Sequence, residues 1–352
     1  MKIAMPDAGT AQPDPARPQS AIRKENCGSP RRCSLISRLK FLALASMLAA
    51  TASHAQQQPA KLVVGLPAGG SFDSIARIVA EKLPSRLDRP VVVENRPGAQ
   101  TRIAVQAVKG APPDGNTLLV APGVAIFLYP HLFRQLSYAP FTDLKPVTQL
   151  VSWDIVLAVA ADSPITSFEE FRAWARQNPD KTFYGTSGTG SLQHFLGVSL
   201  AKRLGTPLEH VAFKGGKDAV TALLGGHINA IVMDAGEVVP LAQAGKLRTL
   251  ATFSAQREPA LPQTPTMREL GLGDLETSGW AGLYVPAGTP EPVIGKLNAA
   301  VTDILALPDV AARIAELGMR PAGGPPQKVD ALAREQFEQW RDTVAQSGFV
   351  AD

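Results

Sequence analysis

The sequence predicts an α/β protein with two sheets, and three observations carry that prediction. Short apolar runs alternate with segments of helical period along most of the chain. Two Gly-rich turns, Ala68–Asp73 and Thr186–Ser191, each join an apolar run to an amphipathic segment. The chain then closes on three helical segments, placed to pack back on the first sheet.

Taken in order, Lys61–Leu66 (KLVVGL) reads as a strand entering Pro67-Ala68-Gly69-Gly70. The following helix carries Ile75, Ile78, Val79 and Leu83 on one face, with Ser71 or Asp73 expected as its N-cap. Val91–Glu94, Thr117–Ala121 and Ile155–Ala161 are further strands, and Ser167-Phe168-Glu169-Glu170 opens a helix with a capping-box pattern. The same order then restarts. Thr182–Gly185 leads through the second Gly-rich turn into a helix with Leu192, Phe195, Leu196 and Leu200 on one face and His194 off that stripe. Leu208–Phe213, Lys217–Leu224, Ile228–Met233 and Leu247–Phe253 follow, then a Pro-rich stretch and Trp280–Val285. The terminal helices are Pro292–Leu305, Asp309–Leu317 and Lys328–Ser347. Alternation of this kind implies parallel sheets covered on both faces.

The 352 residues are 45% hydrophobic and 19% charged, which excludes a disordered chain and a disulfide-stapled mini-protein. Arg31 to Lys40 forms a basic region, Phe41 to Ala52 an apolar one, and Ser53-His54-Ala55 supplies small residues at −3 and −1. Residues 1–55 therefore read as a signal peptide cleaved near Ala55, with Arg31-Arg32 resembling a twin-Arg signal. Both cysteines, Cys27 and Cys33, lie inside this leader, so the mature chain has no disulfide, thiolate metal site or Cys nucleophile. Export without cysteines suits a bacterial periplasmic protein. Of the 35 basic and 31 acidic residues, eight and three fall in the leader, leaving 27 basic against 28 acidic. The body thus lacks the charge excess that nucleic-acid binding requires.

A Gly-rich turn entering a helix presents free backbone N–H groups at the positive end of the helix dipole, a place for a carboxylate or phosphate. The same glycines also serve tight turns and close helix–strand packing. Enzyme signatures are poor. Gly185-Thr186-Ser187-Gly188-Thr189 misses the nucleophile-elbow pattern at its last position, and neither a dinucleotide fingerprint nor a P-loop is complete. His131, His194, His210 and His227 lack the spacing of a metal pair on one helix. No catalytic residue, metal or cofactor is assigned. His194 is either a ligand contact or a capping histidine. Asp234, at a strand end, orients a cleft or caps a helix, and Lys214 neutralises an anion or is simply solvated.

The ordered runs LPAGGSFDSIARIVAEKL, VVVENRPGA, PPDGNTLLVA, YGTSGTGSLQHFLG, HVAFKGGKDAVTALLGGHINAIVMD and GLYVPAGTPEPVIGKLN resemble the substrate-binding proteins of tripartite tricarboxylate transporters, the Bug family. The resemblance spans Lys61 to Phe349. It implies a type II periplasmic binding fold, α/β, with two doubly wound domains and a ligand cleft between them. The domains expected are 56–157 with 278–352, discontinuous, and 158–277. It also implies a small organic acid as ligand (a di- or tricarboxylate, an acidic amino acid or an aromatic carboxylate) and membrane transporter subunits as partners. Carried over by motif, the carboxylate contacts are Ala68, Gly69, Gly70, Ser71 and Asp73 on the first loop. On the second they are Ser187, Gly188, Thr189, Gly190 and Ser191, with His194. Lys214, Gly215 and Asp234 match further cleft positions.

This sequence departs from the family pattern at Phe72, at Gln100-Thr101-Arg102, and over the apolar stretch Pro122–Pro130. Either Phe72 and Phe127 line an aromatic or apolar pocket and Arg102 holds a second carboxylate, or these side chains point away from the cleft. The reading adopted is a periplasmic solute-binding protein, monomeric and without catalysis. The rivals are a ligand-sensing partner of a signalling receptor and a secreted hydrolase with Ser187 or Ser191 as nucleophile and a histidine base.

Overall fold

The structure, a computed structural model, describes residues 58–351; the leader expected over residues 1–55 lies outside the described residues. In chain order the strands are β1 (Ala60–Val64), β2 (Val91–Asn95), β3 (Thr117–Pro122), β4 (Leu144–Trp153), β5 (Ile155–Ala160), β6 (Phe183–Thr186), β7 (Glu209–Ala212), β8 (Ala230–Asp234), β9 (Leu247–Thr252), β10 (Gly279–Pro286) and β11 (Arg320–Pro321). The principal helices are α1 (Ser71–Lys82), α2 (Arg102–Lys109), α3 (Phe168–Gln177), α4 (Leu192–Leu204), α5 (Gly216–Leu224), α6 (Ala235–Gln243), α7 (Glu291–Leu305), α8 (Pro308–Ala315) and α9 (Pro326–Ser347).

Two sheets form, of order β11-β4-β10-β3-β1-β2 and β7-β6-β8-β5-β9. The expectation of wholly parallel sheets is corrected here. β1 is parallel to β2 and β3, and β6 is parallel to β7 and β8, as βα units require. β10 and β5 instead enter antiparallel beside β3 and β8. The reason is connectivity: each of these strands arrives directly from the other sheet, with no crossover helix to restore its direction. The chain leaves the first sheet between Trp153 and Ile155 and returns after β9. At the exit, the buried Asp154 accepts hydrogen bonds from the Arg320 guanidinium, which also meets Glu258 at 2.9 Å.

α1 buries Ile75, Ile78 and Val79, as its period requires. Its N-cap is Gly70, with no side-chain cap, which corrects the expectation of Ser71 or Asp73. Ser167 does cap α3, accepting from the Glu170 amide at 3.2 Å, while the Glu170 carboxylate takes the Thr166 amide at 2.6 Å. α4 has no solvated stripe over its first turns, and Leu192, Gln193, His194, Phe195 and Leu196 are all buried. α9 packs on β4 of the first sheet and on α4 of the second, tying the two together. Among the described residues, no helix is long and apolar enough to cross a membrane.

Candidate functional site

The carboxyl ends of β3, β4 and β6 meet at one cavity of about 280 Å³, the position at which a sheet of this kind receives ligands. One wall is aromatic. Phe72, Phe127, Tyr129, Trp153 and Trp280 all line it. Phe72 meets Trp153 edge-on with ring centroids 5.8 Å apart, and Phe127 and Trp280 lie 6.0 Å apart. Two glycines make room for the indoles. A Cβ at Gly279 would fall inside the Trp153 ring, and one at Gly123 inside the Trp280 ring.

The facing wall is the turn Ser187–Gln193. Its internal bonding leaves some donors in use and others free. The Gly188 amide donates to Thr186 Oγ1 at 3.3 Å, and the Gly190 amide to His194 Nδ1 at 3.2 Å. The amides of Ser187, Thr189, Leu192 and Gln193 have no hydrogen-bond partner among the described residues. Together with the N-terminus of the thirteen-residue α4, these free amides can take a carboxylate without any cationic side chain. Among the described residues, no Lys, Arg or His lines the cavity.

Of the residues singled out from the sequence, Phe72, Phe127, Ser187, Gly188, Thr189, Gly190 and Ser191 come together in the cavity lining. Ala68, Gly69, Gly70 and Ser71 are exposed and do not line it. Asp73 is buried and shapes the first turn instead, its Oδ2 accepting the Gly69 amide and the Arg77 Nε, both at 2.9 Å. Lys214 is exposed, Gly215 half-buried at φ +149°, and neither reaches the cavity lining. Arg102 lies over the Phe133 ring at 3.9 Å and donates to the Ala99 carbonyl, so of the two expectations it points away.

His194, expected off the apolar stripe, is buried at 8% exposure and stacks on His210 with centroids 4.0 Å apart. Burial lowers the His194 pKa, and burial with the neighbouring His194 pushes His210 down to about 4. Ser191 is the N-cap of α4: its Oγ donates to the Gly188 carbonyl at 2.8 Å and accepts the His194 amide at 3.2 Å. Neither Ser187 nor Ser191 has an imidazole partner among the described residues, so no activated serine is assembled.

Asp234 stands one layer behind the cavity. Its Oδ1 accepts from Gln193 Nε2 at 2.7 Å, and burial pushes its pKa up to about 6 against the pull of the Gln193 donor. Glu237, raised to about 7 by burial and by Asp234, lies against Gly216. Sequence reasoning missed Gln193, Trp153, Trp280 and Tyr129 as cavity residues. For the two tryptophans the available signal was position: each stands at the end of a first-sheet strand next to a connection that passes to the other sheet. Gln100 lines the cavity from a turn in which Ala99, Gln100 and Thr101 all hold left-handed φ (44°, 53° and 74°).

Parallel βα units joined by antiparallel crossing strands, with a cavity between the sheets, define a two-domain periplasmic binding fold. The chain belongs to the tripartite tricarboxylate transporter receptor family, TctC, whose model matches residues 75–349. It is 36% identical to a UPF0065 protein of Bordetella bronchiseptica over 319 residues, 88% of this chain and 94% of that one. MatC of Rhodopseudomonas palustris with bound malate is 30% identical, with a TM-score of 0.68 over 81% of this chain and 98% of that one. A second R. palustris protein, solved with adipate, is 29% identical, with a TM-score of 0.71 over 84% and 98%.

Proposed function

We propose that this chain is the exported receptor for a small organic acid with an apolar or aromatic body, which it delivers to the membrane subunits of a tripartite transporter. One observation carries the reading: unpartnered amides at the α4 N-terminus face a wall of five aromatic side chains across a single cavity. The amides take the carboxylate and the rings take the body. The two relatives described above hold malate and adipate, which supports an acid as the ligand. In this reading the leader is removed near Ala55 and the protein works as a monomer. Its domains are 56–157 with 278–352, and 158–277. Closure about Asp154 brings the first turn, Ala68–Ser71, onto the bound acid and presents the complex to the transporter.

The test is thermal unfolding of the chain from Gln56 onward, stripped of ligand by unfolding and refolding, against mono-, di-, tri- and aromatic carboxylates. A cognate acid at a hundredfold excess over its Kd adds about 2.7 kcal/mol. If no carboxylate raises the midpoint, the reading is wrong.

A further inference from the structure

We infer that Gln193 is a specificity-determining residue that presents a fixed hydrogen-bond acceptor to the cavity. The ligand then carries, besides its carboxylate, a neutral or cationic donor such as a hydroxyl or an ammonium. This rests on the functional reading above and narrows its ligand class.

Gln193 lines the cavity yet is only 8% exposed. A buried primary amide has two faces, one that only donates and one that only accepts. Here Nε2 is held by Asp234 Oδ1 at 2.7 Å. An ionised carboxylate only accepts, so it fixes which end of the amide faces it. Oε1 is left over: it has no protein hydrogen-bond partner among the described residues and is not closed off from solvent. A ligand that displaces water from Oε1 without offering it a donor leaves that acceptor unpaired, at a cost in free energy. A hydroxyl or ammonium on the ligand supplies that donor. A second carboxylate placed there brings acceptor against acceptor, with the Asp234 charge one hydrogen bond behind and no cation in the cavity lining to offset it. Malate and adipate, seen in the two relatives, both carry a second carboxylate. Malate also carries a hydroxyl, which supplies the donor, so this chain is expected to part from the adipate-bound relative at this end of the ligand.

Matched acids test this by titration calorimetry on the ligand-stripped protein. The first series is hexanoate, 6-hydroxyhexanoate and adipate; the second is benzoate, the three hydroxybenzoates and terephthalate. In at least one series a hydroxylated acid should bind about tenfold or more tighter than its parent, and the diacid should bind weakest, since a site built to pair a polar group rejects the analogue lacking it. In Gln193→Met the preference for the hydroxylated acid over its parent should shrink to within about threefold. Asp234→Asn, whose amide can donate or accept and no longer fixes the Gln193 rotamer, should weaken the same preference and serves if Gln193→Met fails to fold. A diacid binding tightest, or a hydroxyl preference unchanged in both variants, overturns the assignment of Gln193 and leaves the carboxylate receptor standing. Binding of no acid in either series removes both.

Discussion

At the first Gly-rich turn, Asp73 gathers the Gly69 amide and the Arg77 guanidinium, and residues 68–71 face solvent. At the second, Thr186, Ser191 and His194 gather the turn from within, and the turn lines a cavity. Both follow the same residue grammar of strand, glycines, hydroxyl and helix. What separates them is the helix that follows. α1 keeps an exposed face, with Arg77 outside, whereas α4 is enclosed by β6, α9 and the C-terminal Phe349, whose ring meets His194 edge-on. A buried helix forces its polar groups to find partners inside. The stacked histidine pair and the Gln193–Asp234 bond result.

The largest break in this comparison comes from Gly197. A Cβ there would fall inside the ring of the fully buried Tyr184, whose hydroxyl donates to the His194 carbonyl at 2.9 Å. Gly197→Ala therefore drives α4 off β6 and is expected to cost about 3 kcal/mol in urea unfolding. α1 carries a buried alanine, Ala76, without such conflict, so Ala76→Gly should cost only about 1 kcal/mol. Equal losses would show that the two helices sit on their sheets with the same tightness.

The pH dependence of stability sharpens the comparison next. His210 is held near 4 in the folded chain against 6.5 unfolded. The unfolded chain therefore takes up a proton first, and this contribution to stability is complete above about pH 6.5 and is lost on acidification toward 4. Asp234 has the opposite sign. Raised from 3.8 to about 6, it holds its proton only in the folded chain, so its contribution is greatest below 3.8 and is lost as pH rises through 6. His210→Gln should flatten the acid loss by about 2 kcal/mol, and Asp234→Asn should steepen the net fall on acidification. Profiles that superimpose on wild type would place both groups in water. At the first turn the Arg77 hydrogen bond holds the Asp73 pKa below 3.8, so its contribution persists above that value and disappears only under stronger acid. Asp73→Ala should cost about 1–2 kcal/mol at pH 7, with the exposed Arg77 contributing little of it.

Much of this fold was legible in the sequence. The apolar runs of β1, β3, β5 and β8 and the striped faces of α1 and the terminal helices stand where local pattern puts them. β4 was not legible, because Leu144–Trp153 carries Lys145, Pro146, Thr148 and Gln149 and lacks strict alternation; its burial comes from β10 and α9, far along the chain. The hydroxyl wall of the cavity is one contiguous segment and could be read directly. The aromatic wall could not, since Trp153 and Trp280, distant in sequence, reach one cavity only once β4 and β10 pair. His194 was misplaced because a period of 3.6 finds the more apolar face of a helix, and α4 is buried beyond that face.

The smallest expected effects lie in the turn Ala99-Gln100-Thr101, where three successive side chains sit in a conformation costing roughly 1–2 kcal/mol each relative to the right-handed region. Glycine removes that cost but gives the unfolded chain more freedom, worth about 0.4–1 kcal/mol. Ala99→Gly should therefore stabilise by about 0.5 kcal/mol, since Ala99 is exposed. Thr101→Gly should instead destabilise, because Thr101 is 1% exposed and fills the space over Gly65. Gln100→Gly should match Ala99→Gly in stability but change ligand affinity, as only Gln100 of the three lines the cavity. Three substitutions to one residue type, in one backbone conformation, thus separate strain from packing and both from binding. If Ala99→Gly and Gln100→Gly shift affinity equally, the Gln100 side chain takes no part in the site, and the turn acts on the ligand through its backbone alone.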